Sequence, residues 1–159
     1  MSLSRLLPET PGLKLHALDA EDLALLSAHL QDALVRVGDI AFAPDKHRFA
    51  LVASRFDWVA EAEGRLERRR TGLHFEAVTR VRQLGVARDR PDAVLSLLAV
   101  TFEPGHSSPG GVARLVFAGG PEILLEVECV EAQLCDLGPR WAVAARPTHD
   151  LDEGAGQGS

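Results

Sequence analysis

The sequence contains no tyrosine and only two cysteines among its 159 residues. Two cysteines cannot form the disulfide framework of a small secreted domain. Cys129 and Cys135 also match no common zinc-site spacing, so both are predicted to be reduced thiols that pack as small hydrophobic side chains. Six phenylalanines without tyrosine offer little aromatic surface for stacking on bases, and nucleic-acid binding is not expected.

Long apolar segments are also missing from the chain. No stretch reaches the roughly 18 apolar residues that a membrane-spanning helix needs. The opening residues MSLSRLLPETPG have neither a long apolar segment nor a small-residue cleavage site, so no signal peptide is predicted. We therefore expect a cytoplasmic protein that does not associate with membranes.

The net charge of −6 is distributed unevenly along the chain. Residues 46–90 carry 11 basic and 6 acidic residues, whereas the flanking segments are both acidic. Much of the excess comes from the segment GRLERRR, residues 64–70. Such a cluster can bind phosphate, nucleic acid or an acidic protein surface, but in an acidic protein it more often neutralises neighbouring carboxylates, which is the interpretation we favour.

Hydrophobic periodicity predicts a strand and a helix at the beginning of the chain. Residues 13–18 alternate between apolar and polar, as in a strand. Asp19 is a candidate N-cap for the helix that follows. An apolar stripe predicts about five helical turns, ending at Gly38; its members are Leu23, Leu26, Leu30, Leu34 and Val37.

The middle of the chain reads as successive antiparallel strands. Residues 40–53 form a hairpin pattern around Pro44-Asp45-Lys46, and residues 61–70 a polar loop or short helical turn. Residues 73–81 predict a strand with a bend near Ala77. Residues 93–102 are almost wholly apolar, as in a strand covered on both faces.

The last third predicts a loop, a hairpin and a helix. Residues 104–111, PGHSSPGG, are a loop by composition, and residues 112–127 form a second hairpin pattern. Residues 129–137 return to helical spacing and end at Gly138-Pro139. We predict one globular domain over residues 1–146 and a flexible polar tail over residues 147–159.

Together these elements predict an α+β fold. Its core is a seven-stranded antiparallel sheet, bent or closed into a barrel, with one helix after the first strand and another at the C-terminus. By analogy this arrangement is pleckstrin-homology-like. The alternative is an α+β sandwich in which both helices cover one face of a single sheet.

Five motifs resemble a bacterial family known as domain of unknown function 2948. They are LKLHALDAEDLALLSAHLQDALVRVGDIAF, RFALVASRFDW, RRRTGLHFEAV, VLSLLAVTFEPG and LEVECVEAQLCDLGPRWA. The resemblance extends over about residues 13–150. It implies no activity, cofactor or site residue, because the family has none established.

The residues give no catalytic or metal-binding signature. None of the six histidines pairs with another histidine or with cysteine at a ligand spacing, so no metal and no cofactor is predicted. His106-Ser107-Ser108 lies in a loop without the turn that exposes a nucleophile. A reactive Cys129 at a helix N-terminus remains an alternative. The acidic residues of the last third, Asp136 among them, are expected to face water.

The best candidates for binding are Arg55, Asp57 and Trp58, at the end of a predicted strand. Arginine, a carboxylate and a large aromatic ring are enriched in binding hot spots. The alternative is that Phe56 and Trp58 close the core while Arg55 and Asp57 pair outside it. The basic segment adds candidates for holding an anion: Arg68, Arg69, Arg70 and Arg80.

The sequence thus favours a non-enzymatic module that binds another protein or a second copy of itself. The alternative is a protein, enzymatic or not, that binds a small anionic metabolite at the mouth of the barrel, with those arginines holding the anion. A deep pocket with converging polar groups would favour the second hypothesis.

Overall fold

The computed structural model describes residues 12–144 and Pro147. Within these residues the chain forms an antiparallel sheet with two α-helices. The elements in chain order are β1 (Lys14–Ala17), α1 (Ala20–His29), β2 (Ala33–Ala43), β3 (Arg48–Phe56), α2 (Trp58–Ala62), β4 (Glu67–Phe75), β5 (Val78–Leu84), β6 (Val94–Pro104), β7 (Gly111–Phe117), β8 (Glu122–Val127) and β9 (Ala132–Ala142).

The nine strands form one bent, open sheet. Their order is β1-β9-β4-β3-β2-β6-β7-β8-β5, with β1 and β5 at the edges. Every strand contributes at least one side chain to a single hydrophobic core. Since a flat sheet of this width cannot bring both its edges to one core, the sheet must curve around it. Helix α1 adds Leu23 and Leu26 to the same core, and Leu30, directly after the helix, adds a third leucine.

Both predicted hairpins are confirmed. β2 and β3 are joined by a 3-10 turn at Pro44–Lys46, and β7 and β8 by a turn at residues 118–121. In the second turn Gly119 and Gly120 have φ angles of 88° and 112°, a region that glycine adopts without a steric penalty. The loop at residues 105–110 is also confirmed.

The first helix is confirmed at its start and wrong at its end. The Asp19 side chain accepts a hydrogen bond from the Asp22 backbone N–H at 2.8 Å and caps α1 as predicted. The helix ends at His29 instead of near Gly38, and Leu34 and Val37 belong to β2. The apolar spacing of residues 33–37 fits the period of a helix and also that of a strand. Backbone pairing with β3 and β6 stabilises the strand.

The predicted C-terminal helix is wrong, because residues 132–142 form strand β9. The spacing of Val130, Leu134 and Leu137 suits a helix, but Ala132 and Leu134 also alternate at the period of a strand and are both buried. β9 pairs with β1 on one side and β4 on the other. These two ladders of backbone hydrogen bonds outweigh a weak local preference for helix.

Two corrections apply to the middle of the chain. The polar loop expected through residue 70 ends at residue 66, since Glu67–Phe75 form β4. The strand predicted over residues 73–81 is two strands, separated at Glu76 and Ala77, where Ala77 has a φ of 59°. The strand at residues 94–104 is confirmed, but Val94 is exposed, so it is not covered on both faces.

The α+β class and the antiparallel sheet are confirmed, and the count of seven strands is wrong. Without a C-terminal helix in the described residues, the pleckstrin-homology analogy and the two-helix sandwich both lack a required element.

None of the helices described is long and apolar enough to cross a membrane. Apart from Pro147, the tail predicted at residues 147–159 lies outside the described residues.

Candidate functional site

The inner face of three adjacent strands changes from apolar to charged along its length. On β4, buried side chains recur at every second residue, from Phe75 and Leu73 through Thr71 to Arg69 and Glu67. The same change occurs on β3, where Arg55 follows the core residues, and on β9, where Asp136 follows Leu134. Charged groups therefore fill one end of the sheet's interior.

Arg55 and Asp136 form a two-pronged ion pair. Arg55 Nε donates to Asp136 Oδ1 at 2.8 Å, and Arg55 Nη2 donates to Asp136 Oδ2 at 2.7 Å. The two side chains are only 3% and 2% exposed. The Leu13 backbone N–H also donates to Asp136 Oδ2 at 2.7 Å. This parallel geometry is the strongest arrangement for an arginine and a carboxylate.

Arg69 and Asp57 form a second buried pair beside the first. Arg69 Nε donates to Asp57 Oδ2 at 3.0 Å and lies 3.9 Å from Asp136 Oδ2. Asp57 is also the N-cap of α2, because its Oδ1 accepts from the Ala60 backbone N–H at 3.0 Å. One carboxylate thus joins the short helix to the sheet.

Glu67 anchors a third group of charges. Its Oε2 accepts from Arg140 Nη1 at 2.6 Å and from Arg65 Nε at 3.1 Å. Arg65 is half-exposed and also donates to Glu63 at 2.8 Å, so this pair forms the rim. In the interior, three guanidinium groups (Arg55, Arg69 and Arg140) face three carboxylates (Asp57, Glu67 and Asp136).

These groups surround an open cleft of about 680 Å³. Five of the six interior groups and Arg65 line it, while Asp136 lies behind Arg55. Leu13, Val59 and Ala60 supply apolar walls, and His29 of α1 completes the lining. The volume is in the range of small-molecule sites, and polar groups within apolar walls are typical of them.

Two buried polar atoms of the lining residues have no hydrogen-bond partner among the described residues. One is Arg55 Nη1, a donor, and the other is Glu67 Oε1, an acceptor. Both belong to side chains that are 3% exposed. Buried polar groups in proteins are almost always hydrogen-bonded, so such atoms call for an explanation.

The hydrogen bonds and charges around Asp57 and Asp136 keep these two carboxylates ionised. Burial alone raises the pKa of Asp57, but hydrogen bonds from Ala60 and Arg69 outweigh it, and the pKa falls below 3.8. Burial would also raise the pKa of Asp136, but the hydrogen bonds from Arg55 and Leu13 outweigh this effect and lower its pKa. Burial and the positive charge of Arg55 lower the pKa of His29 below 6.5, which keeps its ring neutral at pH 7.

Three of the seven candidate residues meet at this cleft. They are Arg55, Asp57 and Arg69. Arg55 and Asp57 do not pair outside the core, as one alternative had it, because each has its own buried partner. Whether they bind a ligand remains a prediction.

The other four candidates lie away from the cleft. Trp58 donates from Nε1 to the Gln31 carbonyl at 3.1 Å, and its ring meets Phe56 edge to face at 4.6 Å. Arg68 lies on the opposite face of β4, where it donates to the Ser54 carbonyl at 2.8 Å. Arg70 is exposed on that face, and Arg80 is 65% exposed on edge strand β5.

Sequence reasoning missed five residues of the cluster: His29, Arg65, Glu67, Asp136 and Arg140. A signal for two of them was present. Extending the period-two pattern of Leu73 and Phe75 backwards places Glu67 on the inner face, and continuing Ala132 and Leu134 forwards does the same for Asp136. The expectation that Asp136 faces water is wrong because it rested on the helix that does not form.

The cleft can recognise charged groups. Its polar lining consists of guanidinium groups and carboxylates, which can bind a ligand by hydrogen bonds and charge, and one imidazole, which can bind by hydrogen bonds. The described residues include no cluster of three or more side chains suited to a metal ion. Cys129 and Cys135 are free thiols and line no part of the cleft.

The chain belongs to the family described as "Protein of unknown function (DUF2948)", whose model matches residues 13–149. The match includes the strands and helices that build the cleft. Comparison with curated proteins and comparison with solved structures each gave no match.

Proposed function

We propose that the protein is a cytoplasmic binding protein whose cleft between β3, β4, β9 and α2 takes a small molecule with an anionic group. The observation that carries the proposal is Arg55: it is buried, lines the cleft, and leaves Nη1 without a partner in the described residues. A carboxylate or a comparable oxyanion is the acceptor that a guanidinium group binds best.

The energetic cost of the cluster supports a role in binding. Burying ion pairs requires desolvation, and apolar residues of similar volume often stabilise a protein equally well or better. Six charged side chains that are at most 12% exposed therefore contribute less stability than apolar residues would if they only filled the interior. At the floor of a cleft, however, the same groups supply fixed donors and acceptors for a ligand.

A thermal-shift screen followed by calorimetry tests this function. Small carboxylates, phosphates and amino acids are added to the purified full chain, and a ligand is expected to raise Tm. The increase should disappear in the double variant Arg55→Met/Asp136→Leu, which removes the donor without leaving a buried charge unpaired. Arg80→Met is the matched control, because Arg80 is exposed and away from the cleft.

Two results would count against the function. One is that no compound raises Tm, and the other is that the double variant responds as the wild type does.

Binding to another protein or to a second copy of the chain is the second candidate. Among the described residues β1 and β5 are the edge strands of the open sheet, which supports this candidate, since edge strands can pair with another chain. Arg80 and Arg82 on β5 are partly exposed, and charges there oppose such pairing. Native mass spectrometry tests this candidate, and a monomer that retains no partner from lysate would contradict it.

A further inference from the structure

We propose that the ligand of this cleft is a zwitterion of the α-amino-acid class, with its carboxylate bound by Arg55 and its ammonium group bound by Glu67. This proposal depends on the small-molecule function proposed above and specifies the chemistry of the ligand.

The first argument is the charge balance inside the cleft. Three guanidinium groups face three carboxylates in the interior, and at the rim Arg65 is paired with Glu63. A ligand with charge of only one sign would upset this balance, because it would introduce an uncompensated buried charge, which is costly. A phosphate dianion would do so twice over. A zwitterion adds one charge of each sign and keeps the balance.

The second argument is the pair of unpartnered atoms. Arg55 Nη1 needs an acceptor and Glu67 Oε1 needs a donor. An anion would accept from Arg55 Nη1 but leave Glu67 Oε1 without a donor. A cation would donate to Glu67 Oε1 but leave Arg55 Nη1 without an acceptor. One ligand satisfies both only if it carries an acceptor and a donor, and the charged forms of these groups bind most strongly to arginine and glutamate.

The third argument is the spacing of the two residues. Arg55 is directly opposite Arg69 across the β3–β4 ladder, and Glu67 is two residues along β4 on the same face. Strand geometry then separates the Cα atoms of Arg55 and Glu67 by about 8 Å. Arginine and glutamate side chains are long enough to reach one small molecule across such a distance. Val59 and Ala60 offer an apolar wall for the remainder of the ligand.

The decisive test varies the ligand rather than the protein. The twenty standard L-amino acids are screened by thermal shift, and the best one is titrated calorimetrically against its deaminated acid and its decarboxylated amine. We expect the amino acid to bind at least about 10-fold more tightly than either analogue, because each analogue leaves one buried partner unsatisfied.

A variant provides the matching test from the side of the protein. Glu67→Gln should weaken binding of the amino acid by about 10-fold and leave that of the deaminated acid unchanged, because only the amino acid has the ammonium group. Arg80→Met should bind both compounds as the wild type does. Circular dichroism establishes that Glu67→Gln is folded, and the comparison of analogues needs no variant at all.

The possible outcomes separate the two proposals. If the deaminated acid binds as tightly as the amino acid, or if phosphates and simple carboxylates bind while no amino acid does, the zwitterion proposal is wrong and the small-molecule function stands. If none of these compounds binds, both proposals fail.

Discussion

Strands β3, β4 and β9 carry two different interiors at their two ends. At one end their inner faces are apolar, with Phe49, Leu51, Leu73, Phe75 and Leu134 all at most 2% exposed. At the other end the same faces carry ion-paired side chains that are between 2% and 12% exposed. The strands pair antiparallel at both ends, and the β4–β9 register shifts between Arg69 and Thr71, where the charged end begins.

The two ends contribute differently to the free energy of unfolding. Each fully buried large apolar side chain stabilises the fold by roughly 1.5–3 kcal/mol relative to its exposed state. A buried ion pair contributes little net stability, because desolvation offsets its attraction, although removing one partner is severely destabilising. The apolar end therefore accounts for the fold, and the charged end for the cleft.

The largest effect is expected when one charge of the cluster is left alone. Asp136→Ala removes both acceptors of Arg55 Nε and Nη2 and leaves a buried guanidinium unpaired. We expect a loss of about 3–5 kcal/mol in the free energy of unfolding. Urea denaturation monitored by circular dichroism measures it.

The matched control is Asp92→Ala, which breaks the exposed pair with Arg36, where Asp92 is 94% exposed. Its cost should be at most about 1 kcal/mol. The variant Arg55→Met/Asp136→Leu should be much closer to the wild type than Asp136→Ala is. If Asp136→Ala lowers the free energy of unfolding no more than Asp92→Ala does, the pair of Arg55 and Asp136 is not buried in solution.

A substitution at the apolar end should affect stability and spare the cleft. Leu73 is 1% exposed and lies opposite Leu51 on β3 and Leu134 on β9. Leu73→Ala should cost about 2–5 kcal/mol, from lost burial and the cavity that remains. Calorimetry at a temperature where the variant is folded should give the wild-type affinity for any ligand of the cleft. An equal loss of affinity and stability would show that the two ends are not independent.

The sequence predicted the fold best where local pattern and long-range pairing agree. The two hairpins have strong turn residues between alternating segments, and Asp19 is a clear helix cap. Prediction failed at residues 33–37 and 132–137, where the spacing fits a helix and a strand equally well. In both segments hydrogen bonds to distant strands decide the outcome, and these partners are not visible in the local pattern.

The site could be predicted only in part, for a related reason. The composition around Arg55 and Asp57 indicates both residues, but the partner of Arg55 comes from a distant part of the chain, since Asp136 is 81 residues away. Composition alone makes the basic segment one set of candidates, whereas on a strand alternate residues face opposite sides. Arg69 therefore enters the cleft, and Arg68 and Arg70 lie on the other face.

The smallest expected change is the pH-dependent part of a stability difference, and it again contrasts the charged end with the rest. The folded-state pKa of Asp57 lies below its ordinary 3.8, mainly because hydrogen bonds from Ala60 and Arg69 overcome the opposing effect of burial. A carboxyl group with a depressed folded-state pKa stabilises the fold fully above about pH 5, and this contribution is lost as the pH falls through that pKa.

Asp57→Asn keeps an acceptor for the helix cap but cannot ionise. We therefore expect the variant to be less stable than the wild type at pH 7 in urea denaturation, with the difference shrinking toward pH 3. A difference that stays constant between these pH values would mean that the charge of Asp57 does not contribute to stability, and that its role is confined to capping α2.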